Sequence, residues 1–319
     1  MGKISCLKHV MEAIEILEDA NVNSLKVKKE LEKRGVDFVE EETIYGERGK
    51  TDFIKIGIIG REGKINNGNK PTLGIIGRLG GLSARPQTLG LVSDADGAIV
   101  AIASAMKLAD LKKKGDVMLG DVIITTHICP NAPTKPHKPV PFMSTPVEMY
   151  TLIMREVDEK MDAILSVDAT KGNRIIKVNG FAITPTIVNG WILKVSDDLI
   201  NIYERVTGHR VYIVPITMQD ITPYVEGIYH INSIVQPWIA TRSPVVGVAI
   251  TTEVPIAGCA TGATYIWGLE QATRFCIEVA KDYTTGLCKF YDEEEYKKLL
   301  ELYGDMERLR GKFSFKKKT

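Results

Sequence analysis

The chain has 319 residues, 44% of them hydrophobic and 25% charged, and a formal net charge of +1. That is the make-up of a globular protein with enough chain to bury a large core. Near-zero net charge offers no global field toward nucleic acid or an anionic membrane, and no apolar run approaches the ~20 residues of a membrane span.

In chain order, residues 3–18 carry Ile4, Leu7, Val10, Met11, Ile14 and Leu17 at spacings of three and four, which predicts an amphipathic helix. Asn23 or Ser24 is placed to cap a second helix that Gly35 ends after Arg34. Strand-type runs follow at 36–44 and 52–59, then a Gly/Asn-rich turn at 63–69 and a short apolar strand at 71–77. Beyond it strands and helices alternate. Helices are predicted at 97–113, 146–156, 196–206, 265–280 and 293–303. Strands are predicted at 122–126, 162–167, 211–215 and 245–250, with an extended run at 181–187. Strands separated by helices imply mostly parallel pairing, so the expected fold is a three-layer α/β/α domain around a mostly parallel mixed sheet. One domain is expected over 1–319: helices and a β segment in 1–70, the core in 71–282, and a closing helix with a basic tail in 283–319. The apolar stretch 228–240 is a candidate homo-oligomer contact or a buried segment of the same chain.

Residues 1–6 do not read as a signal peptide. The five cysteines are scattered without CxxC spacing, which fits free thiols in a cytoplasmic protein.

Open α/β sheets gather ligand groups at the C-terminal ends of their strands. Here those ends carry Arg78 with Arg85 nearby, then His127, and then Asp168 with Thr170, Lys171 and Asn173. Further ends lead to Thr217, Gln219 and Asp220, and to Thr251, Thr252 and Glu253. Asp94 and Asp96 open a helix, where capping free backbone N–H groups competes with a ligand role. The stretch GDVIITTHICPNAPTKPH holds His127, Cys129, Asn131 and His137, two of the five histidines within eleven residues. His127 is open to two readings, metal ligand or hydrogen-bonded core histidine. Asp168 directly follows an apolar strand and needs a partner, which Lys171 can supply. No GxxxxGK[ST], GxGxxG or GxSxG motif is present. Aspartate and imidazole at strand tips suit a divalent metal, and a hydrolase built on Cys129 or Cys259 is a further candidate.

The stretches PTLGIIGRLGG, SDADGAIVAIASAMKLADLKKKG, GDVIITTHICP and MDAILSVDATKG, with the region from TMQDITPY to EVPIAGCATGA, resemble in order the zinc-dependent exopeptidase superfamily, its co-catalytic metallo-aminopeptidases in particular. The likeness spans the chain to about residue 282. It implies a zinc-exopeptidase-like fold with Asp94 and Asp168 as metal ligands. Arg78-Leu79-Gly80 stands where that superfamily has His-x-Asp, and His127-Ile128 or Ile128-Cys129 stands where it has Glu-Glu. The motifs GRLGG, SDADGA, THICPNAPTKPH, SVDATKGN and QDITPY also resemble a conserved prokaryotic family of unassigned function.

The leading expectation is a metal-dependent hydrolase of a small amide or peptide-like substrate. Asp94, His127, Asp168 and His137 would hold the metal, zinc first and manganese or iron otherwise. Asp96, Asp220, Glu253 and Arg78 are the catalytic candidates. Arg85, Asn131, Lys171 and Asn173 are the substrate-binding candidates. The alternative is a binding or regulatory protein without a metal, in which Arg78 occupies the metal's place and pairs with Asp94 or Asp168. Neither reading includes a nucleic-acid or membrane partner.

Overall fold

A computed structural model describes residues 5–78, 80–138, 140–217 and 231–313. Two helices open the chain: α1 (Leu7–Glu18) and α2 (Ser24–Arg34). Asn23 Oδ1 accepts from the Lys26 amide at 2.9 Å to start α2, and Gly35 ends it in the left-handed region at φ 84°. A hairpin of β1 (Phe38–Gly46) and β2 (Gly49–Ile58) comes next. Then follow β3 (Leu73–Gly77), α3 (Asp96–Lys113), β4 (Val122–Ile128), the short ribbon β5 (Thr134–Lys135) and β6 (Phe142–Met143), and α4 (Met149–Glu156). The chain continues with β7 (Ala163–Ala169), β8 (Gly180–Ile183), β9 (Thr186–Val188), β10 (Trp191–Leu193) and α5 (Asp197–Thr207). A 3-10 helix (Ser233–Ala240), β11 (Val245–Thr251), α6 (Ile266–Thr285), α7 (Glu293–Tyr303) and a final 3-10 helix (Glu307–Phe313) complete it.

The main sheet runs β1-β2-β4-β3-β7-β11-β9-β10, with β8 also on β11. Its centre, β4-β3-β7-β11, is parallel, and the outer pairings are antiparallel. Because side chains alternate across a strand, successive core residues enter opposite layers. Ile75, Ile124, Leu165 and Val246 join α1, α3, α5 and α6 in one core, while Ile76, Ile123, Ile164 and Val245 join the 3-10 helix residues Ile234, Val235 and Trp238 in the other. Both faces are therefore covered, as continuously apolar central strands require.

Two details depart from the sequence expectations. Residues 211–215 form no strand. Ile213 makes one bridge with Ile183, and Pro215 has no N–H to extend it. The extended run 181–187 splits at Pro185 into β8 and β9, and the three-residue β10 and two-residue β5 and β6 are shorter than any periodicity reveals. Of the apolar stretch 228–240, residues 233–239 are buried in this chain's second core, and 228–230 lie outside the described residues. Among the described residues, no helix is long and apolar enough to cross a membrane.

Candidate functional site

Strand β3 leads through α3 to β4 on one side, whereas its other neighbour, β7, leads on to β11. Adjacent parallel strands whose connections diverge leave a crevice at their C-terminal ends, where open α/β sheets bind ligands. The head of α3 is seated against this crevice. A Cβ on Gly97 would stand 2.5 Å from the Arg78 carbonyl oxygen and 2.7 Å from that of Val167, so only glycine lets the helix approach so closely. This accounts for the glycine in SDADGA.

On the α4 face, Gly77 pairs with Thr126 and Val167, which makes Arg78, His127 and Asp168 the next residues along three neighbouring strands. Arg78 is fully buried. Its Nη2 donates to Gln236 Oε1 at 2.9 Å, and its Nη1 lies 3.6 Å from Glu156 Oε2. Among the described residues its Nε and Nη1 make no hydrogen bond. In the metal-free reading Arg78 would pair with Asp94 or Asp168; it lies beside Glu156 instead.

His127 uses both ring nitrogens. The Gly80 amide donates to Nε2 at 2.9 Å, so that nitrogen carries a lone pair, and the neutral ring's proton is on Nδ1, 2.9 Å from Thr51 Oγ1. Burial, reinforced by the Arg78 charge, lowers its pKa to about 3. Its approach to Glu156 Oε1 at 3.9 Å is therefore not an ion pair. Against the metal-ligand expectation, both ring nitrogens are engaged within the fold, Nε2 as acceptor and Nδ1 as donor. Burial raises Glu156 to about 7, with Arg78 pulling it down.

On the α3 face, Lys171 Nζ lies 2.5 Å from Asp96 Oδ2, and both side chains are essentially without solvent contact. Lys171 also donates to the Ala263 carbonyl at 3.1 Å, and Thr264 Oγ1 donates to Asp96 Oδ1 at 3.1 Å. Burial pushes the Asp96 carboxyl up while Lys171 pulls it down. Lys171 thus serves Asp96 where Asp168 was expected. Asp96, a catalytic candidate from sequence, is engaged in a buried salt bridge. Asn173 Oδ1 accepts from the Ile175 and Ile176 amides at 3.0 and 2.8 Å, shaping the loop after β7. Asp94 lies against the bare α-carbon of Gly258, and its amide donates to the Gly258 carbonyl at 3.2 Å.

The remaining candidates are dispersed. Arg85 donates to the Glu18 carbonyl at 2.9 Å and the Pro130 carbonyl at 3.4 Å. Asn131 and Glu253 are exposed. His137 is exposed on the β5–β6 ribbon, its Nδ1 3.1 Å from the Val140 carbonyl. That site contact and position separate it from the buried His127. Asp220, with Gln219, lies outside the described residues. Among the described residues, no group of three or more His, Cys, Asp or Glu is placed to hold a metal ion. Asp96 and Glu156 each have a protein cation beside them, and both ring nitrogens of His127 are engaged. Cys129 and Cys259 are buried, and burial raises their thiols to about 11 and about 12. Burial thus disfavours the thiolate form that a cysteine nucleophile uses.

Glu156, Gln236, Thr51 and Thr264 were missed from sequence. Glu156 had a signal: it falls on the buried stripe Leu152, Ile153, Glu156 of α4, at helical spacing. The others are brought in by tertiary contacts between distant segments.

A family model described as Protein of unknown function (DUF1177) matches residues 42–313, and the chain belongs to that family. No curated protein matches the sequence.

Proposed function

We propose that this member of the DUF1177 family is a binding or regulatory protein on an exopeptidase-like fold, working without a metal and taking a small amide or peptide-like ligand at the β3/β7 crevice. The carrying observation is the buried Lys171–Asp96 pair, 2.5 Å from Nζ to Oδ2. An ammonium already neutralises the carboxylate that opens α3, next to the position where the exopeptidase likeness would put a metal-bridging aspartate. Support for the exopeptidase-like fold comes from the mixed sheet with a parallel centre, and from the polar residues that collect at its C-terminal edge. Polar groups at such an edge suit a ligand with its own donors and acceptors. A cytoplasmic location and a homo-oligomer remain part of the proposal.

A metal-dependent hydrolase is the second reading. Asp94, half-buried at the head of α3, and Asp168, buried at the end of β7, support it. Elemental analysis of protein purified without chelators separates the two. The first reading expects less than stoichiometric divalent metal. It also expects the melting temperature to rise with a dipeptide or small amide from a ligand panel, an effect lost in Asp94→Asn. A stoichiometric metal that disappears in Asp168→Ala would establish the hydrolase reading instead.

A further inference from the structure

The 3-10 helix Ser233–Ala240 presents Gln236 Oε1 to Arg78 and the Ile234 carbonyl to Ser166 Oγ on β7, at 2.9 and 2.5 Å. It has weak means of holding itself. Hydrogen bonds in 3-10 geometry are poorer than in an α-helix, and Pro237 inside it removes one donor. Groups outside secure its two ends. Asn232 Oδ1 accepts from the Ile234 amide at 3.1 Å at the start. Arg310 closes the other end, buried and about seventy residues away in sequence.

Arg310 Nη1 donates to the Ile239 carbonyl at 3.4 Å, and Nη2 donates to the Thr241 carbonyl at 2.7 Å and to Asn189 Oδ1 at 2.8 Å. Its guanidinium carbon stands 5.5 Å from the Trp238 ring centroid. A cation at the carbonyl end of a helical turn satisfies acceptors the turn leaves open, and the Trp face adds a cation–π contact. The segment around Arg310 has its own moorings. Trp191 Nε1 donates to the Gly304 carbonyl at 3.0 Å, and Arg242 Nε pairs with Glu307 Oε1 at 3.0 Å.

We infer that the Glu307–Phe313 segment is a latch on the β3/β7 crevice, with Arg310 as a positioning residue acting through the 3-10 helix on Gln236 and Arg78. The functional meaning rests on the crevice being the binding site. With Arg310 seated, Gln236 holds Arg78 turned toward Glu156. With Arg310 withdrawn, the 3-10 helix loses its closing contacts and Arg78 loses its fixed acceptor.

Hydrogen exchange on the full chain, without ligand, tests this in wild type, Arg310→Ala and Arg310→Lys. In Arg310→Ala the amides of residues 233–240 and 76–85 are expected to exchange about tenfold faster or more, the effect of losing charge-assisted hydrogen bonds, with α1 and α3 amides unchanged. Arg310→Lys should fall between, since it keeps the charge and loses the planar fork. Acceleration confined to 304–313 would overturn the latch. So would equal acceleration everywhere, α3 included, because Arg310 would then stabilise the whole fold rather than the site. No ligand enters the measurement, so failure of the binding reading leaves its outcome intact.

Discussion

His127 and Glu156 face each other at 3.9 Å and titrate in opposite senses. Burial and the Arg78 charge lower His127 from 6.5 to about 3, and burial raises Glu156 from 4.5 to about 7 against the pull of Arg78. Unfolding returns each group to its ordinary value. The neutral histidine contributes stability that is present above pH 6.5 and lost as pH falls toward about 3. The protonated glutamic acid contributes stability that is present below pH 4.5 and lost as pH rises through about 7. Between 4.5 and 6.5, unfolding adds a proton to His127 and removes one from Glu156. Each changes stability by about 1.4 kcal/mol per pH unit, with opposite sign, so their contributions cancel in the intact pair. Glu156→Gln should leave the histidine term alone, and stability relative to wild type should climb by about 1.4 kcal/mol per pH unit across that window. His127→Gln should make it fall by the same amount, so the two slopes differ by about 2.8 kcal/mol per pH unit. Urea unfolding at closely spaced pH values measures both, and subtracting wild type removes the other titrating groups. Parallel profiles for the two variants would refute the assignment of a neutral histidine facing a protonated carboxyl.

Two further substitutions probe the crevice. Lys171→Met strands a buried Asp96 and should cost about 3–5 kcal/mol, while adding Asp96→Asn should recover much of it. Simple additivity in that double-mutant cycle, read by urea midpoints, would mean the two side chains do not interact. Gly97→Ala forces a methyl into the Arg78 and Val167 carbonyls and should cost about 1–3 kcal/mol. An unchanged thermal midpoint would show that α3 is not seated on β3 and β7 as described.

Much of the fold was legible because its signals are local. Asn23 and Gly35 bound α2, and Ser196 and Gly208 bound α5, through contacts within a few residues of each helix end. The central strands were legible as apolar runs because both of their faces are buried. The duties of individual residues in the crevice were not. His127 depends on Thr51, 76 positions away, and Lys171 reaches Asp96 because α3 folds back across β7. A histidine beside a proline-rich loop reads the same whether its nitrogens face a metal or a backbone amide. That distinction depends on partners only the fold brings together.

All five cysteines are buried, three of them (Cys6, Cys276 and Cys288) in the large core, and burial raises the pKa of every one. A thiol reagent therefore meets no ready target on the folded chain, and a single cysteine introduced on the surface can carry a fluorophore or spin label without first stripping the native ones. The slow reaction that remains has information of its own. Cys129 at the end of β4 and Cys259 beside Asp94 can react only when the rim of the crevice opens, whereas the three core thiols wait for wider unfolding. The difference between those rates is an intrinsic clock for how often the rim breathes.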